Sequence, residues 1–147
     1  MLDGLFVAPA VTAITEALGD LEGAVAVIGD AKIARALAAK RTVIAVGITG
    51  GAAKKLGPLT DTALADLSTV EPASLASVVG ADVATDEGWA DTLRRWTRAV
   101  RDGGAVVLID KGHAAEASRR ALCAGLTELE QRHAGRAVIT SGLVTHL

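Results

Sequence analysis

Apolar positions in this chain fall into short unbroken runs separated by stretches of helical spacing, an alternation that predicts an α/β fold. Val25, Val27 and Ile28 belong to a buried strand over residues 24–28 that ends at Gly29. Asp30 is placed to cap a helix over residues 31–40, whose Ile33 and Leu37 face inward. A second strand, residues 42–46, carries the run TVIAV, the pattern of a strand buried on both faces of a parallel sheet. Upstream, Pro9 fits the first turn of a helix reaching Leu18, with Val11, Ile14 and Leu18 on one face and Gly19 as its stop.

Further along, ITGGAAKKLGP reads as a loop with one helical turn, closed by Gly57-Pro58, and residues 63–67 as a short strand. SLASVVGAD, residues 74–82, is a stronger strand. Thr85 or Asp86 is placed to cap a helix in which Trp89, Leu93, Trp96 and Val100 share one face. Gly103-Gly104 then ends the helix and releases a strand over residues 105–110. A helix over residues 113–124 stops at Gly125, and LTELEQRH and AVITSGLV close the chain as an antiparallel hairpin. The pattern as a whole predicts one compact domain, residues 1–147. Its architecture is three-layer α/β/α, with a mostly parallel Rossmann-like sheet ending in an antiparallel hairpin. Any ligand belongs at the carboxyl ends of the central strands.

Composition narrows the function. The 147 residues suffice to bury a core without disulfides or metal. One Phe, two Trp and no Tyr supply little surface for stacking bases, and a net charge of −2 gives no basic footprint. Neither nucleic acid nor a membrane is the expected partner. The N-terminal MLDGLFVAPAV lacks the basic start of a signal peptide, and no apolar run reaches the ~18 residues that span a bilayer. Cys123 is the single cysteine, which fits a cytoplasmic setting, and it reads as a small buried apolar residue. His113, His133 and His146 lack metal-ligand spacing, so no metal site is expected. No nucleophile elbow occurs, and GITGGAAKK lacks the spacing and Lys-Ser/Thr ending of a phosphate loop. Arg94, Arg95, Arg98 and Arg101 read as a solvated helix face.

Three segments together resemble the class I S-adenosylmethionine-dependent methyltransferases. VAVIGDAKIARALAAK resembles their first strand, glycine loop and helix. WADTLRRWTRAVRDGGAVVLIDKG resembles their helix, double-glycine turn and fifth strand, and HAAEASRRALCAGLTELEQ a late helix entering the sixth strand. The match covers residues 23–147. The resemblance implies a cofactor site at Gly29, Asp30, Gly47, Asp66 and Asp82, and in this chain that site is vestigial. The family places an acid two residues before its first glycine, where Val27 stands, and two more glycines where Asp30-Ala31-Lys32 stand. Gly47 replaces the acid that accepts hydrogen bonds from both ribose hydroxyls, an interaction of about 1.5–3 kcal/mol. Asp66 matches the acid that reads the adenine amino group, and Gly80-Ala81-Asp82-Val83 fills the fourth-strand motif.

The expectation is a catalytically inactive pseudoenzyme with no cofactor and no catalytic residues, acting through protein–protein interaction as a scaffold, regulator or subunit. Two surfaces are candidates for a protein partner or a homodimer: the helix of Trp89 and Trp96, and AVITSGLV taken as an unprotected edge strand with Ile139 or Val144 pointing outward. Residues 29–33 are expected to fill the strand ends and leave no pocket of cofactor size. Two alternatives stand beside this reading. One is a small methyltransferase holding S-adenosylmethionine in an atypical site. The other is a binding domain for a different small ligand at the strand ends, using Asp30, Asp82 and Asp110.

Overall fold

In the computed structural model, which describes residues 4–146 with side chains from residue 8, β1 (Val25–Ile28) lies between β2 (Val43–Val46) and β3 (Leu75–Ala81). β4 (Val100–Lys111) follows β3, and the hairpin of β5 (Thr127–Ala134) and β6 (Ala137–Leu143) completes the order β2-β1-β3-β4-β6-β5. The first four strands are parallel, with Val27 opposite Ala45 and Val79, and Val79 opposite Val107. β6 runs antiparallel to both β4 and β5.

Strands covered on both sides must be apolar on both sides, and adjacent valines divide between the faces. Val79 and Val107 join Ile14, Ile33, Leu37 and Ile139 in a core beneath α1 (Gly4–Leu18) and α2 (Ala31–Ala38). Val78 and Val106 join Leu93, Trp96 and Ala121 beneath α3 (Trp89–Ala99) and α4 (Ala114–Cys123). This is the expected three-layer architecture.

Several boundaries differ from the expected ones. α1 begins at Gly4, which puts Pro9 inside it instead of in its first turn. α3 starts after Gly88, so neither Thr85 nor Asp86 caps it; Asp86 instead accepts the Thr92 hydroxyl at 3.2 Å. Val100 leaves the helical stripe to open β4, where it pairs with Leu75. Gly103 and Gly104 therefore lie within β4, at an irregularity between the Val100 and Ala105 pairings. There a Cβ on Gly104 would sit 2.5 Å from the Ala76 carbonyl oxygen. Residues 50–62 form a 3-10 segment kinked at Gly57, not a loop with one turn. The strand expected at 63–67 shrinks to one parallel bridge, Leu64 to Val46, before the chain turns at Asp66.

Both expected contact surfaces are corrected. AVITSGLV is not an edge, because β6 lies between β4 and β5, and Ile139 and Val144 are buried. The edge is β5, TELEQRHA, whose charged residues and left-handed Glu128 deter pairing with another chain. Trp96 is buried, and Trp89 is half-buried beneath the guanidinium groups of Arg119 and Arg120, 5.7 and 5.2 Å from its ring centre. Cys123 is exposed near the end of α4 rather than buried.

Candidate functional site at the strand ends

Asp30 caps α2, accepting the Ile33 N–H at 3.0 Å. A Cβ on Gly29 would meet nothing within 4 Å, so β1 ends facing open space. Beyond it lies a cavity of about 310 Å³ whose wall includes Gly29, Asp30, Lys32, Lys55, Asp82 and Asp110. That volume falls at the lower end of small-ligand sites. Residues 29–33 thus do not fill the strand ends completely: Ala31 packs against the core and also lines the hollow that remains. Three of the expected site residues, Gly29, Asp30 and Asp82, meet here, and Asp110 joins them.

Asp110 lies at the end of β4 and is only 1% exposed. Its Oδ1 accepts the Ala84 N–H at 3.0 Å, while Oδ2 has no hydrogen-bond partner. It does not cap α4, whose N-cap residue is the left-handed His113 with no side-chain hydrogen bond. Burial pushes the Asp110 carboxyl above its ordinary pKa and the charge of Asp82 adds to this, against the Ala84 hydrogen bond and the charges of His113 and Arg120.

The neighbouring loop is held from the other side. Arg120 donates to the carbonyls of Val83 (2.6 Å) and Asp86 (2.9 Å) and pairs with Glu116. Glu116, gripped by Arg119 and Arg120, has its pKa lowered to about 2. The ion pairs among the described residues all use arginine, and Lys32, Lys55 and Lys111 pair with no carboxylate of those residues. Lys55 and Lys111 also reach the cavity wall; sequence reading missed both, and the AAKK pair was the available signal for the first.

A second hollow of about 460 Å³ takes the other two expected residues, Gly47 and Asp66, together with Arg95 and Trp96. Gly47 turns the chain with φ +66° and offers no side chain. Asp66 is exposed and its carboxylate faces its own loop, accepting the Ser68 N–H at 2.8 Å. Its hydrogen bonds with Ser68 hold that carboxyl below the usual range. Val27, at the position of the family's first acid, is buried in the sheet at 1% exposure. The residues present therefore do not fit S-adenosylmethionine held in the family's manner: Val27 stands where the first motif has its acid, Gly47 where the ribose acid would be, and Asp30, the carboxylate within the first loop, caps α2. The described residues also contain no group of three His, Cys, Asp or Glu side chains placed to hold a metal ion.

Neither a protein-family model nor a curated protein sequence matches the chain. Solved structures match at low identity. Burkholderia thailandensis 1,6-didemethyltoxoflavin-N1-methyltransferase superposes with a TM-score of 0.74 at 14% identity, covering 98% of this chain and 80% of that one. Geranyl diphosphate C-methyltransferase from Streptomyces coelicolor gives 0.73 at 10% identity, over 94% and 76% of the two chains. A chain from the complex of the Haloferax volcanii Trm112 methyltransferase activator gives 0.71 at 15% identity, over 93% and 90%. Identities this low speak for architecture alone: the chain has the class I methyltransferase-like fold.

Proposed function

We propose that this protein keeps the methyltransferase scaffold but binds another small ligand at the strand ends in place of S-adenosylmethionine. The observation that carries this reading is the cavity beside Gly29, walled by charged groups that enter no ion pair among the described residues. Unspent charge around a hollow at this end of an α/β sheet is the mark of a binding site. Fold alone does not decide function, and here the residues that would hold the usual cofactor are Val27 and Gly47. Calorimetric titration with S-adenosylmethionine and S-adenosylhomocysteine, followed by thermal-shift screening of nucleotides and metabolites, tests the reading. Stabilisation by a metabolite without binding of S-adenosylmethionine supports it, and a micromolar dissociation constant for the latter overturns it. No helix among the described residues is long and apolar enough to cross a membrane. A cytoplasmic setting is part of this proposal, supported by the single cysteine.

A second reading, an inactive protein working through a protein partner, has one observation in its favour: a structural neighbour comes from a complex with the Trm112 activator. Light scattering across a wide concentration range tests the homodimer form of this reading. A defined complex recovered by pull-down and rebuilt from purified components would support the hetero-partner form.

A further inference from the structure

The buried carboxylate of Asp110 accepts one hydrogen bond. Oδ1 receives the Ala84 N–H, whereas Oδ2 is buried without a donor, and Asp110 is one of the residues that form the cavity wall. A buried acceptor left unmatched costs about 1–3 kcal/mol, and a charged one more. A positively charged N–H donor is the group that matches it best.

Lys32 and Lys55 present the opposite need. Both line the Asp110 cavity and also an open, largely apolar groove of about 750 Å³ that runs along α1 and α2 past Arg35. The two hollows therefore meet at this lysine pair, and Arg35 adds a third cation on the groove side. Asp30, the nearest acid in sequence, is engaged in capping α2. A purely cationic ligand would leave the lysines unmatched, and a purely anionic one would leave Asp110 unmatched.

We infer, resting on the small-ligand reading above, that the cavity takes a two-ended ligand: a primary amine at Asp110, and a carboxylate or phosphate between Lys32 and Lys55. The apolar surface of the neighbouring groove suits a hydrocarbon spacer or tail between or beyond these ends.

The test is calorimetric titration of the full chain with phosphoethanolamine and γ-aminobutyrate, against ethanolamine, inorganic phosphate and butyrate as single-ended counterparts. At least one two-ended probe should bind about tenfold or more tighter than either of its fragments. Asp110→Asn should lose about tenfold for that probe and for ethanolamine, while leaving inorganic phosphate unchanged. Lys32→Gln combined with Lys55→Gln should weaken the two-ended probe and phosphate but spare ethanolamine. Circular dichroism checks that each variant is folded, and Asp110→Ser serves in place of Asn should that variant not fold. Equal affinity for two-ended and single-ended probes, no binding of any probe, or an Asp110 variant that binds like wild type overturns the inference. Whether the phosphate or the carboxylate probe binds tighter identifies the anion. A cavity ligand lacking an amine overturns the two-ended inference alone, whereas micromolar S-adenosylmethionine binding overturns the small-ligand reading beneath it.

Discussion

The two hollows at the strand ends share Gly29's neighbourhood but differ in what evolution has left on their walls. On the Gly47 side the acid position is bare backbone, and the one nearby carboxylate, Asp66, is turned to Ser68. On the Asp110 side the walls carry lysines that enter no ion pair among the described residues, and a buried carboxylate with one oxygen unpartnered. A buried, half-satisfied acid costs the fold stability unless a ligand matches it. On the reading proposed above, one ligand's contacts can be missing from a fold that still carries a site.

The largest expected effect falls on the wall of the Gly47 hollow. A Cβ on Gly80 would come within 2.2 Å of the Trp96 ring, so Gly80→Ala must displace the tryptophan that lines that hollow. Denaturant titration should show a loss of about 3 kcal/mol. Near-wild-type stability would mean that Trp96 has room to move and that this hollow is not rigidly built.

Gly47→Asp restores the missing acid and should still not create S-adenosylmethionine binding, because Val27 and the first loop remain altered. Forcing a non-glycine residue to φ +66° should cost about 1–2 kcal/mol in the same unfolding assay. Tight cofactor binding by this single variant would show that the Gly47 side had lost only one contact.

Asp110→Asn should act in the opposite direction and raise stability at neutral pH by about 1 kcal/mol. Burial raises the Asp110 pKa in the folded state, so the folded protein takes up the proton more readily than the unfolded chain. The penalty is therefore present above the folded pKa and disappears as pH falls through the ordinary carboxylate value. The gap between variant and wild type should close over that interval in thermal melts at stepped pH. An Asp110→Asn protein less stable than wild type at neutral pH would show that the carboxylate serves the fold.

The smallest effect concerns the clamp that holds the Asp110 side in place. Glu116 has its pKa lowered to about 2, so its contribution is complete above the ordinary glutamate value and is lost as pH falls towards about 2. Glu116→Gln should remove that segment of the acid-unfolding curve and loosen Arg120, which spans to Val83 and Asp86. An unchanged curve would mean that Arg120 holds the loop without Glu116.

Much of the fold was legible because buried parallel strands announce themselves: TVIAV and AVVLID are apolar on both faces, and Asp30 caps α2 as its position requires. The misreadings arose where tertiary pairing overruled local signals. Val100 follows a helical stripe but is drawn into β4 by Leu75, and AVITSGLV reads as an edge until β5 covers it. The site was legible in part. Strand-end acids marked Asp82 and Asp110, but that Ala31 would fold inward and leave a cavity depends on the packing of α2, which periodicity does not resolve. Lys55 arrives from a kinked 3-10 segment whose path turns on Gly57, and Asp110's orphaned oxygen exists only once Ala84 has claimed its other one.

The central claim is that the scaffold has parted from its usual cofactor, and calorimetric titration of the wild-type chain with S-adenosylmethionine tests it most directly. No saturable heat is expected up to about millimolar ligand, the range in which binding is worth only about 4 kcal/mol. A micromolar dissociation constant, or cofactor carried through purification, would contradict it.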